Sequence, residues 1–150
     1  SLASIGLKRE DVYITSAVRS RPYSIKHTFS KKENKEVIKY PNRKPTKKEI
    51  MAHAPFLDYE INCVKPKIIV TVGTTALTRL LDDKYEISNV HGKIIENTPI
   101  LELNDKKDGY IWSKEKYIVV PQYHPAAVFY NRKLTEIIAQ DWLNVKLLIK

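Results

Sequence analysis

The sequence KIIVTVG, residues 67–73, is a near-continuous apolar run that ends in glycine. Such a run is typical of a strand in a parallel sheet that helices cover on both faces. Tyr117–Gln122 (YIVVPQ) has the same character. The two runs therefore predict two central strands of an α/β domain.

A helix is predicted directly before the first of these strands. Thr46 and Glu49 match a capping box, which satisfies the first free backbone amides of a helix. Apolar residues then recur on one face over residues 50–64. Pro55 lies inside this helix, where we expect it to kink the helix or to remove one hydrogen bond, and Pro66 ends the helix.

Two further helices follow the central strands. Gly73 predicts a sharp turn into a short helix over Thr74–Leu81. Residues 134–149 predict a terminal helix. Its core face is expected to carry Ile138, Trp142, Val145 and Ile149.

The remaining segments are assigned by composition and turn signals. Residues 12–18 (VYITSAV) are β-branched and aromatic and predict a strand. Residues 23–45 predict a long basic surface loop, residues 91–103 an irregular hairpin, and residues 108–109 a turn. Strands that alternate with helices predict one domain over residues 1–150, a three-layer α/β/α fold with a central parallel sheet. Ligands of such sheets bind beyond the carboxyl ends of the strands, here residues 16–21, 73–76 and 123–128.

Composition restricts the function classes. The 150 residues are 43% hydrophobic and contain one cysteine, Cys63, so neither a disulfide framework nor a cysteine metal cluster can form within one chain. Reducing, cytoplasmic surroundings are expected. No apolar run approaches the roughly 20 residues of a membrane span, so no membrane partner is expected. The net charge of +9 fits either a nucleic-acid partner or a lysine-rich surface.

Several motifs occur in an order that resembles the family-4-type uracil-DNA glycosylases. The similarity runs through essentially the whole chain. The motifs are residues 12–22 (VYITSAVRSRP), 42–46 (NRKPT), 55–57 (PFL), 65–73 (KPKIIVTVG), 90–93 (VHGK) and 123–128 (YHPAAV). The resemblance implies a four-stranded parallel sheet and an enzyme that removes uracil from single- or double-stranded DNA. Such enzymes flip the nucleotide out of the stack. The resemblance also implies that the chemical step needs no metal and no small-molecule cofactor.

By the same resemblance, His124 is the catalytic residue. The family histidine donates a hydrogen bond to uracil O2, and this bond strengthens as the leaving base becomes an anion. We expect His124 at a strand end, beside a pocket for a pyrimidine. The alternative is a buried structural histidine.

The resemblance also suggests binding residues. Ser16 and Gly73 are the candidate uracil-binding residues. Gly73 also fits a phosphate-binding turn or a glycine required by packing. Ser16 replaces a family asparagine, which places base selectivity in question. The DNA-binding candidates are Arg19, Arg21, Arg43, His91, Gly92, Lys93, Pro125, Ala126, Asn131 and Arg132.

The chain departs from the family in two respects. Two cysteines that bind an iron–sulfur cluster in many members correspond to Ser20 and His53, so we expect no cluster. The Gly-Glu-Ala-Pro-Gly-type loop that positions the attacking water, with the first strand before it, has no counterpart here. We therefore expect an upstream segment or a second chain to complete the sheet, and the 150-residue chain alone to be inactive.

Three hypotheses follow from these observations. The first is a uracil-DNA glycosylase of a cluster-free branch. The second is a catalytically weakened DNA-binding protein on a glycosylase scaffold. The third is a nucleotide- or phosphate-binding α/β module without a DNA role, which the basic charge and the ordered motifs disfavour.

Overall fold

The computed structural model describes residues 6–18, 26–30, 35–39 and 44–149. Its secondary structure elements alternate in the way an α/β domain requires. In chain order they are β1 (Lys26–Ser30), β2 (Lys35–Lys39), α1 (Lys47–Val64), β3 (Ile68–Val72), α2 (Thr74–Leu81), α3 (Ile87–Val90), β4 (Ile95–Thr98), β5 (Leu101–Leu103), β6 (Tyr110–Trp112), β7 (Tyr117–Gln122) and α4 (Leu134–Leu148). Short 3-10 helices occupy Arg9–Asp11, Asp82–Lys84 and Pro125–Phe129.

The central sheet has the order β3-β7-β4. β3 and β7 are parallel and pair in an unbroken register from Ile68 with Ile118 to Val72 with Gln122. β4 is antiparallel to β7, and its register shifts between Ile95 and Thr98. The described sheet therefore has three strands, one of them antiparallel, instead of the four parallel strands that the family resemblance implied.

Helices cover both faces of this sheet. Successive residues of a strand point to opposite faces, so the buried neighbours Val119 and Val120 of β7 belong to two different cores. One core joins Val119 to apolar residues of α1 and α2, and the other joins Val120 to Trp142 and Val145 of α4. The three-layer α/β/α class is confirmed.

The helix signals in the sequence are confirmed in detail. Thr46 caps α1, with the Glu49 amide donating to Thr46 Oγ1 at 3.2 Å and the Thr46 amide donating to Glu49 Oε1 at 2.9 Å. Pro55 lies inside α1, and α2 has the predicted bounds. α4 ends one residue earlier than expected, and Ile149 is 46% exposed, so its placement in the core was wrong.

The predicted strand at residues 12–18 is wrong. This segment pairs with no strand of the described residues and lies instead along α1, where the hydroxyls of Tyr13 and Thr15 both donate to the carboxylate of Glu60. A strand requires a neighbour for its backbone groups, and composition alone cannot supply one.

Two loop predictions are also wrong. The expected loop over residues 23–45 contains an antiparallel hairpin of β1 and β2, in which Thr28 faces Val37. Residues 91–103 do not form one hairpin, because β4 joins the central sheet and β5 pairs with β6. The turn at Asp108 and Gly109 lies between β5 and β6, where it is closed by a bond from the Asn104 amide to the Gly109 carbonyl.

A buried ion pair attaches the β5–β6 hairpin to the helices. The Arg79 side chain of α2 is fully buried and contacts Asp58 of α1. Arg79 also donates to the Leu101 carbonyl at 2.8 Å, and the Leu103 amide donates to Asp58 at 2.9 Å. No helix of the described residues is both long and apolar enough to cross a bilayer.

Candidate functional site

His124 lies two residues beyond the carboxyl end of β7, as predicted. It caps the 3-10 helix Pro125–Phe129, and its Nδ1 accepts a hydrogen bond from the Ala126 amide at 3.1 Å. Pro at the first helical position has no amide to offer, so the next free amide turns back to the imidazole. Because Nδ1 is an acceptor here, the neutral imidazole carries its proton on Nε2.

The turn between β3 and α2 lies against this histidine. Gly73 is buried with φ of +89°, and its amide donates to the Gln122 carbonyl at 2.9 Å. A Cβ at Gly73 would lie 3.3 Å from the Cβ of His124. The parallel pairing of β3 with β7 thus brings Gly73 and His124 together, and Gly73 allows the close approach of the two loops.

The turn at His91 and Gly92 forms the third part of the site. The Gly92 amide donates to the Pro121 carbonyl of β7 at 2.8 Å, so the turn is fixed to the same strand end. His91 Nδ1 lies 2.8 Å from Asp141 Oδ2, and its ring stacks on Tyr123 with centroids 4.8 Å apart. His91 is only partly exposed, and both of these contacts are made within the protein.

Asp141 is a site neighbour that sequence reasoning missed, whereas Tyr123 lay in the predicted strand-end segment without an assigned role. Asp141 is 5% exposed and belongs to α4 between the core residues Ile138 and Trp142. A carboxylate on the apolar face of a helix was the available signal, because buried charges require partners. Its partner His91 is 50 residues distant in sequence and could not be identified from spacing.

The segment after His124 is exposed and basic. Pro125 is exposed and Ala126 is partly buried, whereas Phe129 is 85% and Tyr130 93% exposed. Asn131 accepts a bond from the Lys133 amide at 3.1 Å, and Arg132 is exposed. Two adjacent exposed aromatics beside cations had not been singled out in the sequence, although such a pair is typical of surfaces that stack on nucleobases.

The other candidate residues are dispersed. Lys93 is exposed next to Gly92. Ser16 is exposed, and its hydroxyl donates to the Val18 carbonyl at 2.8 Å, which is a local turn contact. The candidates Arg19, Arg21 and Arg43 lie outside the described residues.

Neither of two concavities in the described part of the chain is lined by His124. One, of about 400 Å³, is lined by residues between Thr74 and Ser88. The other, of about 440 Å³, lies between the end of α1 and Tyr117. His124 is exposed and lines neither concavity. Neither of them is therefore the pyrimidine pocket that was expected beside His124.

The donor set of this chain does not fit a four-cysteine iron–sulfur cluster. Ser20 lies outside the described residues, and His53 is partly buried on α1 with its ring 6.4 Å from that of Phe56. Cys63, the one cysteine of the sequence, is exposed on the same helix. Among the described residues no three His, Cys, Asp or Glu side chains are arranged to hold a metal ion.

Comparison with known families identifies the scaffold. A family model described as the Uracil DNA glycosylase superfamily matches residues 1–146. The chain belongs to the uracil-DNA glycosylase superfamily. The family resemblance proposed from the motifs is therefore confirmed, together with the fold class.

Curated relatives of this superfamily member are named type-4 uracil-DNA glycosylases. The protein from Sulfurisphaera tokodaii is 34% identical over 145 residues, which are 95% of this chain and 53% of the relative. The protein from Saccharolobus solfataricus is 32% identical over 95% of this chain and 54% of the relative. The protein from Thermotoga maritima is 32% identical over 99% of this chain and 62% of its own length. The chain thus spans little more than half the length of these relatives.

Proposed function

We propose that this superfamily member acts in DNA repair as a glycosylase that hydrolyses the N-glycosidic bond of uracil in DNA. The names of the relatives support the activity class. The observation that carries the proposal is the hydrogen bond from the Ala126 amide to His124 Nδ1. It leaves the proton of a neutral imidazole on Nε2, which is the donor that a departing uracil requires.

The proposed reaction begins with flipping of the uracil nucleotide out of the stack. The bond between the sugar C1′ and uracil N1 breaks, and its electron pair leaves with the base and spreads to O2. Nε2–H of His124 donates to that oxygen and favours the anion more strongly than it favours bound substrate. A water molecule adds to C1′ and loses a proton, which neutralises the uracil anion, so the products are an abasic sugar and free uracil.

DNA binding is assigned to the exposed segment that follows His124 and to the turn before β4. Arg132 and Lys93 offer charges to phosphates, and the backbone at Pro125 and Ala126 allows close approach to the strand. Phe129 and Tyr130 offer ring faces on which unpaired bases stack. Ser16 and Gly73 remain the proposed uracil-binding residues.

The test is release of uracil from a labelled single-stranded oligonucleotide by the protein in its natural full length. His124→Ala is expected to lower the rate by about 10²–10³, because one preorganised donor is lost. His27→Ala, at an exposed histidine on β1, is the matched control and should keep the rate. Equal rates for His124→Ala and the unchanged protein would refute the proposal.

A second candidate function is DNA binding without base release. It is favoured by the exposure of His124 and by the local engagement of the Ser16 hydroxyl with Val18. Binding of the oligonucleotide that weakens steeply with salt, without any uracil release, would select it. The isolated 150-residue chain is expected to release little or no uracil, because the water-positioning loop has no counterpart in it.

A further inference from the structure

Asp141 is a buried charged group that the proposed reaction does not use. It is 5% exposed, and a buried carboxylate is costly unless it is paired or hydrogen-bonded. One oxygen, Oδ2, lies 2.8 Å from Nδ1 of His91. The other, Oδ1, lies so close to the Gly92 backbone that a Cβ there would be 2.2 Å away. The carboxylate is therefore held between the imidazole and the turn.

The contact with Asp141 determines the orientation of the His91 ring. A carboxylate accepts hydrogen bonds, so His91 carries a proton on Nδ1 and donates it to Asp141. In the neutral form this is the tautomer opposite to that of His124, whose Nδ1 is an acceptor. The ring thus oriented stacks on Tyr123 at an interplanar angle of 30°.

Tyr123 connects this arrangement to the candidate site, because it is the residue between β7 and His124. The last residue of β7 is also anchored to α4, because Gln122 Nε2 donates to the main-chain carbonyl of Asp141 at 3.2 Å. The Tyr123 ring is covered by His91. His91 is thus in ring contact with the residue that precedes His124.

From these contacts we propose that Asp141 is a positioning residue: through His91 and Tyr123 it sets the orientation of the His124 imidazole. The reaction that it serves rests on the proposed glycosylase function. Displacement of a reacting group by about 1 Å can cost about 10² in rate, so the arrangement has a measurable consequence.

The turn offers a control for a merely structural role. Asn144 lies on the same helix and donates from Nδ2 to the Gly92 carbonyl at 3.1 Å, so it anchors the same turn through a bond that does not involve the His91 ring. Asn144→Ala loosens the turn and leaves the bond between Asp141 and His91 in place. Asp141→Asn keeps an oxygen that can accept from His91 Nδ1, and it serves as the conservative variant.

The first measurement is the nitrogen-15 spectrum of the histidine rings in the protein in its natural full length. Asp141→Ala is expected to abolish the Nδ1–H pattern of His91 and to shift the ring signals of His124. Asn144→Ala and Asp141→Asn should leave the His91 pattern in place. Unchanged His124 signals in Asp141→Ala, or equal shifts in Asn144→Ala, would overturn the proposal whether or not the protein releases uracil.

The second measurement is uracil release under saturating and limiting DNA. Asp141→Ala should lower kcat by about 10- to 100-fold with little change in KM, and Asp141→Asn should restore most of it. His91→Ala should lower kcat by a similar factor. The double variant should lose no more than either single variant, because both substitutions remove the same contact between His91 and Asp141. If Asp141→Ala does not fold, His91→Ala still reports the shift of the His124 ring signals and the loss in kcat.

The two measurements separate the two proposals. If no variant and no unchanged protein releases uracil while the His124 signals still move, the proposed function fails and the positioning role stands. If uracil is released and kcat is the same in Asp141→Ala as in the unchanged protein, the positioning role fails.

Discussion

Substitution of Gly92 by alanine tests the close packing of the His91–Gly92 turn against α4. Gly92 has φ of +70°, and its missing Cβ would lie 2.2 Å from Oδ1 and 2.6 Å from Cγ of Asp141. Atoms cannot approach so closely, and the neighbour is a buried side chain on a packed helix. Gly92→Ala therefore combines backbone strain with a steric clash.

Two other glycines with positive φ separate these terms. Gly6 has φ of +77° with nothing within 4 Å of an added Cβ, so Gly6→Ala reports the backbone term alone, about 1–2 kcal/mol. At Gly73, with φ of +89°, the added Cβ would be 3.3 Å from His124, so a small extra loss is expected. Gly92→Ala adds an overpacking cost of about 1–3 kcal/mol to the backbone term.

The assay is thermal unfolding of the three variants under one set of conditions. For a chain of this length each kcal/mol corresponds to about 2–4 °C in Tm. The expected order of Tm is Gly6→Ala highest, then Gly73→Ala, and Gly92→Ala lowest by at least several degrees. A Tm for Gly92→Ala equal to that of Gly6→Ala would show that Asp141 does not pack against this turn.

Three further predictions concern the scaffold. Thr46→Ala should lower the free energy of unfolding by about 1 kcal/mol because the cap of α1 is lost, and Thr46→Ser should restore it; denaturant titration measures both. Asp58→Ala should cost about 3–5 kcal/mol, since it removes the only carboxylate paired with the buried Arg79 in the described residues and leaves that charge uncompensated. Arg79→Met replaces the charge with an apolar side chain and should cost less; the reverse order would contradict the role of the ion pair. Burial raises the pKa of Tyr110 and of Tyr117, so folding favours their neutral forms. The resulting contribution to the free energy of unfolding is complete below about pH 10, the usual pKa of tyrosine, and is lost as the pH rises further. Tyr110→Phe should reduce that alkaline loss and cost little at neutral pH, because its buried hydroxyl makes no hydrogen bond to the described residues; a cost above about 1 kcal/mol at neutral pH would refute this.

Local signals in the sequence were sufficient for much of the fold. The capping box at Thr46 and the glycine turn at Gly73 act within a few residues, and both predicted helix starts are confirmed. The apolar runs at β3 and β7 identified the two central strands, because strands buried on both faces tolerate few polar residues.

The errors arose where pairing depends on distant residues. The hairpin of β1 and β2 has only a few β-branched or aromatic residues among lysines, so its pattern resembles a polar loop. Residues 12–18 have strand composition but lie against Glu60 of α1. Strand formation depends on neighbours as much as on propensity, and a single sequence does not reveal those neighbours.

The candidate site divides in the same way. His124 at the end of β7 followed from the apolar run and the motif after it, and Gly73 from the rule for parallel sheets. The partnership of His91 with Asp141 and the bond from Ala126 to His124 depend on the path of the backbone in space. The exposure of Phe129 and Tyr130 likewise emerged only from the fold.

The irregular pairing of β4 makes the two sides of the central sheet unequal as templates. Its register shift, with Asn97 at φ of 50°, interrupts the row of backbone donors and acceptors that another strand would need. β3 pairs with β7 in an unbroken register, and its other side has no strand partner among the described residues. Growth of this sheet is therefore directional. During refolding at high concentration, self-association would extend from the β3 side, and a charged or proline residue introduced there would suppress it more than the same change in β4.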